Sequence, residues 1–206
     1  MNTSENRRWA LLGPLTVALW IVALILVTKN GPAEHATGSQ ILAWYKSDSD
    51  SIVLGGWLFM VGCLGFVVFV ADVGRRLAAP VLALAGAAIA GVAGMLTAAV
   101  DVAGGIDKND IDAGTAATFH HAVDVFFITT ELTAVLPLAV VAVVAWRTRV
   151  LPRWWAGFSG LLAVVLLVGP IGWLGLIFGV PIWTLGTSLF VLLGSRAGMR
   201  TAAAAA

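Results

Sequence analysis

TFHHAVDVFFITTELTAVLPLAVVAVVAW, residues 118–146, decides the fold. From Val125 to Trp146 its only ionisable residue is Glu131. A helix needs about twenty such residues to cross roughly 30 Å of hydrocarbon, whereas a buried strand stops after about four to eight. The stretch therefore predicts a membrane-spanning helix. It also poses a question, because two histidines and an aspartate stand at its entrance and a glutamate lies inside it.

At about 100° per residue, taking Asp124 as zero, Glu131 falls at about −20°, His120 at about −40° and His121 at about +60°. All four share one face. Thr118, Thr129 and Thr133 point away from it, where hydroxyls bond to carbonyls of their own helix. Counting about twenty residues back from Trp146 puts the outer edge of the hydrocarbon near Val125, with Glu131 about 9 Å inside. A charged carboxylate facing lipid there costs several kcal/mol, so Glu131 is expected to face other helices or a pocket. The same count brings Trp20, Trp57, Thr97 and Trp183 to a similar depth. The expectation is a funnel open to the outside, with His120, His121 and Asp124 at its mouth. Glu131 would lie at its floor, and tryptophans would form its walls.

The rest of the chain has the same character. Of its 206 residues 60% are hydrophobic and 11% charged, against about a quarter charged in soluble domains, so a water-facing surface is excluded. Apolar runs predict an all-α, polytopic bundle of six spans at about 9–28, 52–73, 81–100, 116–146, 154–169 and 174–194. The first run follows Arg7 and Arg8, yet it is too long for a signal-peptide core and no A-x-A site follows, so it reads as a retained helix. Residues 1–200 form one membrane domain, and the terminal alanine tail, 201–206, is expected to be disordered.

Charge orients the bundle. With the N-terminus inside, all nine arginines (Arg7, Arg8, Arg75, Arg76, Arg147, Arg149, Arg153, Arg196 and Arg200) fall in inner segments, and Lys29, Lys46 and Lys108 in outer ones. This positive-inside pattern places both termini in the cytoplasm. Trp9, Trp146, Trp154 and Trp155 fall at the inner boundary, and Trp44, Trp57 and Trp173 near the outer one, where an apolar ring with one N–H is favoured. The third span carries small residues at Gly86, Ala90 and Gly94, which let backbones approach and predict a central position. Asp72 is expected to pair with Arg75 or Arg76. Pro137 and Pro170 are expected to kink or end helices, and Gly172, Gly175 and Gly179 to loosen the turn before the last span.

Two outer segments stand out. Residues 29–51 contain Ile41, Leu42, Trp44 and Tyr45, which suggest a short helix on the membrane surface. Residues 101–112, DVAGGIDKNDID, lack the spacing of an EF-hand and read as a solvated acidic loop. The net charge of +1 leaves no basic stripe for nucleic acid. The lone Cys63, within an apolar run, reads as packing. No P-loop, dinucleotide fingerprint or nucleophile elbow is present.

Three functions fit the polar face. The first is binding or transport of a small molecule, ion or lipid, since intramembrane acids and histidines mark ion and proton paths. The second is a membrane-embedded enzyme, either metal-dependent or using Glu131 as a general acid on an apolar substrate. Metal ligands would be His120 or His121 with Asp124, completed by His35 or Asp101. Only two of the three or four ligands a zinc site needs are secured by local spacing, so no cofactor is assigned. The third is a structural subunit whose polar groups join helices. Lipid is the certain neighbour of such a chain, and its oligomeric state is left open.

Four segments carry a resemblance: EHATGSQILAWYKSDSD (34–50), HHAVD (120–124), LPRWWAGFSGLLAVVLLV (151–168) and PIWTLGTSLFVLL (181–193). Over most of its length the chain resembles an uncharacterised group of six-span membrane proteins common in actinobacteria. The resemblance implies the six-span fold and a bacterial inner-membrane location, and it assigns no catalytic residue.

Overall fold

Hydrocarbon offers no partner to backbone N–H and C=O groups, so apolar runs of this length must satisfy them internally as helices. The computed structural model describes residues 3–33 and 35–204, with side chains described from Ala10 to Leu193. Glu34, and the side chains of Arg7, Arg8, Trp9, Arg196 and Arg200, lie outside the described residues. The elements are α1 (Thr3–Thr28), α2 (Gly38–Arg76), α3 (Pro80–Ile106), α4 (Ala113–Thr148), α5 (Arg153–Leu167), α6 (Gly169–Leu174), one π-helical turn (Gly175–Gly179) and α7 (Val180–Ala204). Among the described residues there is no strand. Five stretches are long and apolar enough to cross a membrane: Ala10–Thr28, α2, α3, α4, and the continuous run Gly169–Leu193.

Three expectations are corrected. Residues 41–45 form no separate surface helix, because α2 is one 39-residue helix that already contains them. Its length of about 58 Å exceeds the hydrocarbon thickness, so its polar start projects beyond it. Residues 101–106 belong to α3 and not to a loop, and only 107–112 connect α3 to α4. The expected fifth span is a helix of 15 residues, about 22 Å long, short of the roughly 30 Å required.

Local chemistry sets the boundaries. The Gln40 side chain accepts from the Thr37 N–H at 2.8 Å and opens α2. Between α2 and α3, Ala78 takes a left-handed φ of 58° and Pro80 starts the next helix, which makes a short antiparallel turn. Asp112 caps α4 by accepting from the Thr115 N–H at 2.7 Å, and that bond holds its carboxyl below the usual range. Arg149 closes α4 in the left-handed region. Pro137 lies within α4 without ending it, while Pro170 occupies the first turn of α6.

Helix registers show how the bundle is stacked. A Cβ on Gly86 would lie 3.0 Å from the Pro137 nitrogen, and one on Gly94 2.9 Å from Cys63 Sγ. The small-residue face of α3 is thus pressed between α2 and α4, in the central position expected of it. Gly160 lies opposite Ala142 and Gly172 opposite Glu131, so α5 climbs along the second half of α4 and the chain turns back at residues 167–169. That corner stops beside Glu131. The expectation that Gly172, Gly175 and Gly179 loosen this turn is corrected too, since Cβ atoms there would meet Glu131, Leu166 and Leu162 within 3.0 Å. These glycines permit close packing.

The main core occupies the arginine end, around Phe69, Leu138, Trp155, Leu162, Leu166 and Trp183. A smaller cluster of Ile41, Trp44, Tyr45, Ile52 and Ala116 holds the other end. At the arginine end Asp72, 2% exposed, accepts from Arg75 at 3.0 Å and from Arg76 at 2.7 Å. Trp155, in the first turn of α5, is buried and donates to Thr187 at 3.0 Å.

Candidate functional site

The polar face of α4 is divided by what packs against it. Glu131 is 4% exposed, with no hydrogen-bond partner, and its Oε2 lies where a side chain on Gly172 would begin. The carboxyl is therefore turned toward sister elements, as lipid exclusion requires. The threonines of the opposite face bond to their own helix, Thr118 to Gly114 at 3.0 Å, Thr129 to Val125 at 2.8 Å and Thr133 to Thr129 at 2.7 Å.

Two turns further out, three helices bring polar groups together. Asp101 of α3, 6% exposed, accepts from Tyr45 Oη of α2 at 3.1 Å. Tyr45 can reach across because its ring lies flat over Gly104, where any Cβ would strike it. The exposed Asp124 of α4 lies within electrostatic range of Asp101. No basic residue is hydrogen-bonded to either, and the nearby Lys108 donates instead to Ser49. His120 stands edge-on to Trp44, with ring centroids 6.4 Å apart, and Trp44 packs on Tyr45 at 5.0 Å. Trp44 is 7% exposed, and both its Nε1 and the Nδ1 of His120 are enclosed without a hydrogen-bond partner.

An enclosed N–H or ring nitrogen with no partner forfeits its bond to water, a penalty of about 1–3 kcal/mol each. Two of them beside an uncompensated pair of acids make a site that is polar, aromatic and incomplete. Such a site can receive a small cation, with the carboxylates supplying charge and the indole and phenol rings a cation–π surface.

The other residues expected in the funnel are dispersed. His121 and Asp124 are exposed at the mouth, while His35 is exposed in the α1–α2 connection. Trp57 is 57% exposed on the outside of α2, where it borders an open groove with Ser49, Gly105 and Lys108. Trp183 is fully buried in the main core, where it donates to Ser159 at 2.8 Å. Thr97 bonds to the Ala93 carbonyl at 3.1 Å and lies 3.5 Å from Thr130 Oγ1. Trp20, half-buried on α1, borders a separate apolar cavity. The single funnel is thus replaced by a polar cluster at the outer end and an apolar cavity deeper in. Among the described residues, no group of three or more His, Cys, Asp or Glu side chains is arranged to hold a metal.

Reading the sequence as loops missed Tyr45 and Trp44. A signal was present, since Ile41, Trp44, Tyr45, Ser49 and Ile52 recur at helical spacing and all five are buried. Comparison with protein-family models, with curated proteins and with solved structures finds no match for this chain.

Proposed function

We propose that this chain is an integral protein of the bacterial inner membrane, with both termini cytoplasmic, that binds a small organic cation from the outer side. Antiparallel packing supports the orientation, because it gathers the described arginines, Arg75, Arg76, Arg147, Arg149 and Arg153, at one end. The observation that carries the binding reading is the buried Asp101. It accepts from Tyr45, whose ring packs on Trp44, it lies within electrostatic range of the exposed Asp124, and among the described residues it has no basic partner. A cationic ligand would neutralise the pair and cover the aromatic rings.

Glu131 favours transport over simple capture. It lies on the same face as Asp124, seven residues or about 10 Å further in, and is likewise unpartnered. A site that exchanges a proton at that depth would couple to ligand bound above it.

Purified protein titrated with tetramethylammonium, with potassium as control, tests the binding step. The wild type is expected to gain thermal stability with tetramethylammonium alone, and Asp101→Asn to weaken affinity by at least about tenfold. Equal responses to the two cations, or an Asp101→Asn variant that binds like wild type, would refute it. For the transport step, Glu131→Gln is expected to bind the cation but lose proton-coupled uptake in liposomes.

A further inference from the structure

A cavity of about 120 Å³ lies among α1, α2, α3 and α4 beside the π-helical turn. Its walls are Trp20, Phe59, Phe66 and Phe127, and its floor is Leu176 and Ile177 of the π-helical turn. The lining is almost wholly apolar, and Ile21, on the rim, is 51% exposed on the bilayer-facing side. The opening is therefore lateral.

Three observations point to an occupant. An apolar cavity of about 150 Å³ takes a single aromatic ring, so this one has room for about one ring or the end of a chain. The Trp20 indole Nε1 is enclosed, and the polar atom beside it is the Cys63 thiol, only a weak acceptor. The floor is a π turn, an arrangement that costs helix geometry and recurs where helices build binding sites. We propose that this cavity is a lateral site for a hydrocarbon ligand, which enters from the bilayer and seats one ring or chain end between Trp20 and Phe127. The remainder of the molecule stays in lipid. An oxygen on the seated part would satisfy the Trp20 N–H. The site is independent of the cation site, which lies further out and is polar.

Full-length protein in nanodiscs of saturated phosphatidylcholine is photolabelled with a fatty acid carrying a terminal diazirine, and adducts are mapped by mass spectrometry. Labelling is expected to concentrate on residues 20–24, 127–134 and 176–181. Ile177→Trp, which fills the floor, and Ile21→Trp, which closes the rim, should each reduce it about tenfold. Leu132→Trp should leave it unchanged, since that position is exposed outside the cavity. Suppression by an excess of a free cyclic ketone identifies a free apolar molecule as the occupant. Labelling that resists the ketone but falls when the lipid chains are branched identifies the bilayer's own acyl chains. The first result sustains the proposal; the second, a cavity filled by the bilayer's own acyl chains alone, overturns it. Label spread evenly over outward-facing positions such as Leu54, Val81 and Leu161, and indifferent to both tryptophan variants, overturns it. Size-exclusion profiles establish which tryptophan variant is folded, and either one alone decides the question.

Discussion

The two ends of the bundle treat polar groups in opposite ways. At the arginine end, Trp183 donates to Ser159, Ser159 to the Trp155 carbonyl and Trp155 to Thr187, while Asp72 holds two arginines. At the outer end the Trp44 Nε1 and the His120 Nδ1 have no hydrogen-bond partner among the described residues, and neither Asp101 nor Asp124 has a basic one there. Thr16, an enclosed hydroxyl set against Gly65, and the Trp20 indole are the exceptions. Polar residues in a membrane bundle either join helices or wait for a ligand, and satisfaction tells the two apart. The first end is built to hold, the second to receive.

The largest effect that would break this contrast lies in the partnered core. Trp183→Ala removes a fully buried indole and strands Ser159, and is expected to cost about 3–5 kcal/mol in reversible unfolding in detergent. A loss below about 1 kcal/mol would mean that the arginine end does not hold the bundle together.

Next comes the junction between the ends. A methyl on Gly172 would stand 2.8 Å from Glu131 Oε2, so Gly172→Ala forces the carboxyl out of its shelter and should cost about 1–3 kcal/mol. Glu131→Ala should recover most of that loss in the double variant, because the atom in the way is gone. Additive losses would show that Gly172 is needed by the nearby Leu166 carbonyl and not by the acid.

How far the sequence foretold these features depends on where polarity meets length. The face of α4 was legible because one glutamate in twenty apolar residues must be sheltered, and Glu131 is. The start of α2 was obscured by KSDSD (46–50), which reads as the end of a loop. A helix longer than the bilayer can carry such residues beyond the hydrocarbon at no cost, and the periodic Trp44, Tyr45 and Ser49 were the better guide. The short α5 was hidden for the opposite reason. The corner at 167–169 is made of Leu, Val and Gly, so the apolar run continues through it. Asp101 was seen as a loop acid, and its meeting with Tyr45 across fifty-six positions is a tertiary fact that no local pattern contains.

A matched pair of indoles sharpens the contrast directly. Trp155→Phe loses a bond to Thr187 and leaves that hydroxyl behind, at a cost of about 1 kcal/mol beyond the change in packing. Trp44→Phe discards an N–H that has no partner, so its stability should be unchanged or slightly higher. Thermal unfolding without ligand reads both. Equal losses would mean that Trp44 has a structural partner and that the outer end is no different from the inner.

The smallest effect concerns an outer acid that is satisfied by its own helix. Asp112 is exposed, yet the Thr115 N–H bonded to it lowers its pKa, so its ionised form binds better in the folded state than in the unfolded chain. The sign follows from the direction of the shift. The contribution is complete above the ordinary aspartate pKa of about 4 and fades as pH falls through the lower folded value. Unfolding midpoints followed from pH 7 down to about 3 should therefore show a shallower acid decline for Asp112→Ala than for wild type, from a slightly lower starting stability. Parallel declines would place the acid sensitivity in other carboxyls that accept hydrogen bonds in the folded state, such as Asp48.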